Sequence, residues 1–143
     1  MAFSVGLIGF PNAGKSTLFK ALTKREVRIE PRPFSTVEPN VGIVAIPDSR
    51  LERISKIINP EKTTPATIEF WDIAGLVKEA HKGEGLGNQF LAQIRNCSAL
   101  IEVIRVFKSK RVAHVEKDVD PERDLEIINT ELIMKDLETV NTA

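Results

Sequence analysis

A single cysteine, Cys97, among 143 residues leaves no partner for an internal disulfide and no set of thiolates for a Cys-cluster metal site. That scarcity suits a reducing cytosol, where a lone cysteine serves as a small buried hydrophobe. Net charge is lacking as well. Twenty basic and twenty acidic side chains cancel, so global electrostatics point to neither a nucleic-acid nor a membrane partner. No apolar run approaches the roughly 18 residues of a membrane span, and no charged leader with an apolar core opens the chain. The expectation is a soluble, cytoplasmic protein with no membrane contact and no disulfide partner. Internal repeats and low-complexity tracts are absent too. What is present suffices for a core: 42% of the residues are hydrophobic, and a chain of this size folds as one domain that buries about two-thirds of its unfolded surface.

An apolar run, Phe3 to Ile8, leads directly into Gly9-Phe10-Pro11-Asn12-Ala13-Gly14-Lys15-Ser16-Thr17. GxxxxGKS between a buried strand and a helix is a phosphate-binding loop, because the loop N–H groups and the helix N-terminus together form an anion cradle. Leu18, Phe19 and Leu22 continue at helical spacing, which supplies the required helix. For a bound triphosphate the roles follow from chemistry. Lys15 reaches the β and γ phosphates, the Ser16 hydroxyl ligates Mg²⁺, and Gly14 lets the backbone approach an oxygen closely. Asn12, Ala13 and Thr17 complete the nucleotide-binding set. The bland alternative is a Gly-rich strand-to-helix turn with no ligand.

Strand-like runs at Phe3 to Ile8, Val41 to Ile46, Ala66 to Asp72 and Ala99 to Val106 alternate with helical patterns at Lys15 to Thr23, Ser49 to Ile58 and Gly87 to Asn96. This alternation predicts an α/β sheet with helices on both faces. A further helix is predicted with Asp120 as N-cap and Pro121 as first helical residue, its buried stripe formed by Leu125, Ile128 and Leu132 and widened by Ile133, Leu137 and Val140. Lys24 to Asn40, with Pro31, Pro33 and Pro39, reads as a loop.

That loop lies between the phosphate loop and the next strand, where P-loop GTPases place a switch with a Mg²⁺-binding threonine. Thr36 is the candidate, against the reading of an ordinary loop hydroxyl. The third strand ends in Asp72-Ile73-Ala74-Gly75, an acidic residue at a strand's carboxyl end followed by xxGly. In that arrangement Asp72 holds Mg²⁺, through water, and the Gly75 amide senses the γ-phosphate. Many GTPases then place a glutamine that orients the attacking water. This chain has Leu76, which can neither donate nor accept a hydrogen bond, so another group must position the water.

Together, GFPNAGKSTLFKALT, PFSTVEPN, DIAGLVK and KGEGLGNQFL resemble the YchF family of Obg-related P-loop NTPases, from Val5 to about Glu138. The resemblance implies a Ras-like P-loop NTPase fold, a mostly parallel sheet with helices on both faces, in which Leu after DxxG is normal. It implies hydrolysis of ATP in preference to GTP, with Mg²⁺, and binding to the ribosome, mainly its large subunit. Family members continue with a helical insertion, strands carrying an NxxE version of the base-reading NKxD motif, and a TGS domain. Neither base-reading motif follows a strand in these 143 residues. The expectation is therefore the N-terminal part of a G domain over residues 1–143, truncated before the base-recognition strands. The alternative is an incomplete fragment with weak, unselective phosphate binding and no useful turnover.

Departures from the family pattern are Glu79 where glycine is usual, Trp71 in place of a small strand residue, and Arg32 before Pro33. The resemblance also supplies candidates for the missing catalytic group. His114 matches the position of a histidine that the family is thought to use in hydrolysis, the alternative being an exposed side chain in a charged loop. His81, beside Gly83, Gly85 and Gly87, is the weaker candidate. In related NTPases with a PNxGKS loop, an asparagine at the position of Asn12 helps hold a monovalent cation, K⁺, that supplies charge like an arginine finger. The other reading of Asn12 is a turn residue that tolerates left-handed φ.

Overall fold

The computed structural model describes residues 3–24, 40–73, 93–109 and 112–141. In chain order these form β1 (Phe3–Ile8), α1 (Lys15–Thr23), β2 (Asn40–Ala45), α2 (Ser49–Ile58), β3 (Thr67–Asp72), β4 (Ala99–Glu102) and α3 (Pro121–Asn141). The sheet runs in the order β2-β3-β1-β4. β1 is parallel to β3 and β4, while β2 returns antiparallel to β3. The expected mostly parallel α/β sheet is therefore present.

β1 sits between two strands, and its residues from Ser4 to Ile8 are all buried. That is why its sequence is a continuous apolar run rather than an alternating one. Successive side chains point to opposite faces. On one face, Ile8 joins Phe10, Ile73 and Ile128 of α3 in a buried cluster, with Trp71, Ile94, Cys97, Ile104, Ile127 and Leu132 packed around it. On the other, Leu7 and Phe19 of α1 are buried outside that cluster. Register then places the chemistry: Leu7 pairs with Asp72 and Ile8 with Glu102. The carboxyl ends of three strands thus meet where β1 runs into the phosphate loop.

β2 and β3 differ from the sequence reading by one residue at their ends, and two features differ more. The predicted fourth strand, Ala99 to Val106, ends at Glu102. Its only pairing strand among the described residues is β1, which stops at Ile8 because Gly9 turns away with φ 146°. Val103 N–H still donates to the Ile8 carbonyl at 2.8 Å, as the last rung. Beyond it the chain has no ladder to join. The predicted stripe on α3 also changes. Ile128 is buried, but Leu125, Ile133, Leu137 and Val140 are exposed, and the buried neighbours of Ile128 are Asp124 and Glu131. These three lie four and three residues apart, on one helical face.

Helix ends follow the capping signals. Asp48 caps α2 by accepting from Arg50 N–H at 2.9 Å, and Asn59 closes it in the left-handed region at φ 49°. Asp120 caps α3 through Arg123 N–H at 3.2 Å. α2 has no buried residue, despite Ile54, Ile57 and Ile58. The predicted Gly87 to Asn96 helix and Lys24 to Asn40 loop fall mostly outside the described residues, where residues 93–95 are helical and Asn40 begins β2. Among the described residues no helix is long and apolar enough to cross a membrane.

Candidate nucleotide-binding site

The loop after β1 owes its path to two glycines. A Cβ on Gly9 would lie 2.3 Å from the Val103 carbonyl oxygen, so β1 and the segment after β4 could not approach as they do. Gly14 has φ 112°, and a Cβ there would meet no described atom within 4 Å. Left-handed backbone at the residue preceding α1 is the conformation in which successive amides converge to form an anion-binding concavity. No side chain caps α1, and its first turn holds no acidic residue. The N–H groups of Lys15, Ser16 and Thr17 are thus free of a side-chain cap at the positive end of the helix, which is what an anion requires.

Lys15 is buried and donates to the carbonyls of Gly9 at 3.1 Å and Phe10 at 2.9 Å. Burial lowers its pKa from 10.5 to about 8, and the Asp72 carboxylate opposes that fall. Asp72 is raised from the usual carboxylate range by burial. Two neighbours pull it back, a hydrogen bond from Ser16 and the charge of Lys15. Three sequence-predicted residues are therefore brought together around Asp72: Ser16 by a hydrogen bond and Lys15 by its charge. A hydroxyl and a carboxylate side by side are hard oxygen donors of the kind Mg²⁺ takes, the ion filling its shell with water and phosphate oxygens. The residues fit that ion.

Asn12 adopts φ 64°, so the turn role is observed. Its Nδ2 donates to the Ala113 carbonyl at 3.2 Å, which leaves Oδ1 as the atom a monovalent cation could use. Ala13 N–H closes the turn onto the Phe10 carbonyl at 3.2 Å. Thr36, Gly75, Leu76, Glu79, His81 and Arg32 lie outside the described residues.

His114 is not an exposed side chain in a loose loop. Its side chain is 3% exposed, and Nε2 lies 2.9 Å from Oδ2 of Asp124, itself 2% exposed. Nδ1 accepts the Glu116 N–H at 3.1 Å. With Nδ1 accepting, the ring proton sits on Nε2 and is donated to Asp124. The ring meets the edge of Phe10 at a centroid separation of 6.2 Å and an interplanar angle of 82°. The segment carrying His114 therefore already rests on the phosphate loop.

Sequence reasoning passed over three residues that build this wall. Arg105 is buried and donates to the carbonyls of Phe107 at 3.1 Å, Val112 at 3.0 Å and Ala113 at 3.1 Å. Its guanidinium also sits 4.7 Å from the Phe107 ring centre. The one available signal was a charge inside an apolar run. Asp124 was hidden in the charged start of a helix, and Phe10 among the variable loop positions.

A family model described as 50S ribosome-binding GTPase matches residues 4–138. The sequence is similar to the ribosome-binding ATPase YchF of Escherichia coli O157:H7, with 52% identity over 143 residues, covering 100% of this chain and 39% of that relative. The chain thus spans about two-fifths of the length of the curated relatives it matches. Among solved structures it is similar to the Schizosaccharomyces pombe YchF GTPase, at 44% identity and a TM-score of 0.70, over 98% of this chain and 37% of that one. The G domain of the T. maritima FeoB iron transporter shares the fold, with a TM-score of 0.52 at 21% identity over 94% of this chain and 67% of that one.

Proposed function

The chain belongs to the family of 50S ribosome-binding GTPases, and from that premise we propose that it binds a Mg²⁺–nucleoside triphosphate and hydrolyses it as a ribosome-associated switch in the cytoplasm. The observation that carries this reading is the grouping of Ser16, hydrogen-bonded to Asp72, with the charge of buried Lys15 at an uncapped helix N-terminus. On binding, Lys15 exchanges two loop carbonyls for β- and γ-phosphate oxygens. The amides of Ala13, Gly14, Lys15, Ser16 and Thr17 cradle the phosphates, while Ser16 and Asp72 hold the metal. Mg²⁺ when bound neutralises charge that develops on the phosphate oxygens. Thr36 and Gly75 complete the triphosphate state, Asn12 holds K⁺, and His114 positions or deprotonates the attacking water in place of the glutamine replaced by Leu76.

ATP is the proposed preferred nucleotide and the large ribosomal subunit the proposed partner. Relatives named ribosome-binding ATPase support ATP as a substrate and the ribosome as a partner, and the family's 50S description points to the large subunit. The chain is proposed to be the N-terminal part of a G domain whose base-reading segment is not among its 143 residues. The second reading, for these 143 residues by themselves, is weak binding of ATP and GTP alike, through shared phosphate contacts, without useful turnover. Calorimetry with Mg²⁺ and each nucleotide separates the two. A clear preference for ATP supports the first; equal, weak affinities support the second. Lys15→Ala and Asp72→Ala should each abolish Mg²⁺-dependent binding, and unaltered affinity in either removes the site assignment. Thr36→Ala should weaken the triphosphate complex while sparing the diphosphate.

A further inference from the structure

His114 has no ring nitrogen to spare. Nδ1 accepts the Glu116 N–H, and Nε2–H is given to Asp124. A histidine in this state can neither orient a water nor accept its proton. The backbone beside it is fixed as well, because the Ala113 carbonyl accepts from both Asn12 of the phosphate loop and Arg105. The ring already rests on Phe10. The bond to Asp124 is thus what occupies Nε2, the ring nitrogen that carries the proton.

We propose that Asp124 is a positioning residue that holds His114 in a stored orientation, and that exchange of the Nε2–H···Oδ2 bond for a bond to the nucleotide or its attacking water is the step that makes His114 available. This rests on the hydrolytic role given to His114 above. The surroundings of Asp124 permit such an exchange. Its other oxygen, Oδ1, accepts from Arg123 Nε at 3.3 Å and Nη2 at 3.0 Å, and Arg123 is anchored in turn by Asp118 at 2.9 Å. A carboxylate that lost His114 would keep its cation, so release leaves no uncompensated buried charge. The Phe10 edge and the pinned Ala113 carbonyl keep the ring beside the loop when it turns. Asp124 lies in the first turn of α3, only four residues beyond the N-cap Asp120. A contact that shifts the N-terminus of α3 would therefore set how readily the ring is released, which links the hydrolytic step to whatever binds that helix.

The test combines ring spectroscopy and turnover on the intact chain. Imidazole ¹⁵N–¹H spectra should show a hydrogen-bonded Nε2–H in the free protein, and addition of Mg²⁺ with β,γ-imido-ATP should move that resonance as its acceptor changes from the Asp124 carboxylate. A bond that persists in the loaded state overturns the proposal. Asp124→Asn, which weakens the acceptor without changing its shape, should raise kcat about threefold with KM unchanged. Asp124→Leu, which removes the acceptor, should raise it about tenfold, and adding His114→Ala should cancel both gains. A fall in kcat in Asp124→Asn, no change, or a gain that survives His114→Ala overturns the stored-orientation model. If Asp124→Leu does not fold, the Asn variant and the spectra decide alone. Loss of the functional reading itself looks different: no binding of the analogue, or a kcat unaffected by His114→Ala alone.

Discussion

Lys15 is the residue whose burial conflicts most with its chemistry. Its folded pKa of about 8 lies below the 10.5 of an exposed lysine. Folding is therefore opposed by the ammonium at and below about pH 8, and stability rises as pH climbs from about 8 toward 10.5. The full swing is at most about 3–4 kcal/mol, at roughly 1.4 kcal/mol per pKa unit. Bound phosphates reverse the preference, since they favour the charged form. Above about pH 8, triphosphate binding should thus take up close to one proton. Calorimetry at pH 9 in buffers of different ionisation enthalpy measures that uptake, and zero uptake would place Lys15 away from the phosphates. Lys15→Met follows from the same conflict. Removing a buried charge held only by carbonyls and a neighbouring carboxylate should raise stability at pH 7 by about 1–2 kcal/mol in urea unfolding, while nucleotide affinity falls at least about 100-fold, or about 2.7 kcal/mol. A less stable variant would show that the Gly9 and Phe10 carbonyl bonds outweigh the desolvation.

At the scale of elements, α3 divides into a face that matters and one that does not. Ile128 is fully buried against Ile8, Phe10 and Ile73, so Ile128→Ala should cost about 2–5 kcal/mol by transfer and cavity terms. Leu137 is half exposed, and Leu137→Ala should stay within about 0.5 kcal/mol; chemical denaturation of both compares them directly. The hydrophobic pattern could not make this distinction, because α3 carries apolar residues on several faces. Asp124 is buried by its bond to His114, a pairing across ten residues that no helical period records. The β1–loop–α1 unit was legible almost to the residue, since GxxxxGKS fixes where the strand must end and the helix must begin. β4 was not, because its end is set by the departure of its partner at Gly9. The same contrast holds within the site. Lys15, Ser16 and Asp72 were legible because phosphate and metal chemistry dictates residue type and spacing, whereas Arg105 acts on carbonyls brought near only by the fold. The likeness to the S. pombe YchF GTPase bears out the family resemblance read from four short motifs.

For the whole molecule, a nucleotide and metal bound as proposed would be linked to folding through one junction. The carboxyl ends of β1, β3 and β4, the N-terminus of α1 and the residues Arg105, Ala113 and His114 meet at the phosphate loop, so a ligand seated there would touch much of what holds the sheet's top edge together. A ligand that binds only the folded state adds RT ln(1 + [L]/Kd), about 2.7 kcal/mol at a hundredfold excess over Kd. For a chain of this size that is about 5–10 °C in Tm. Trp71 reports it without a label, being the one tryptophan and the residue immediately before Asp72. Its indole N–H is buried with no acceptor among the described residues, so its emission should respond when Asp72 exchanges Ser16 for a metal. With Mg²⁺, saturating triphosphate should raise the midpoint of the Trp71 melt by that amount, and EDTA should remove most of the gain while leaving the free protein's midpoint unchanged. Asp72→Asn should lose the EDTA-sensitive part and keep a smaller shift from Lys15 and the loop amides. A nucleotide shift of equal size with and without Mg²⁺ would separate Asp72 from the metal, and the contact between Ser16 and Asp72 would then be a structural bond alone.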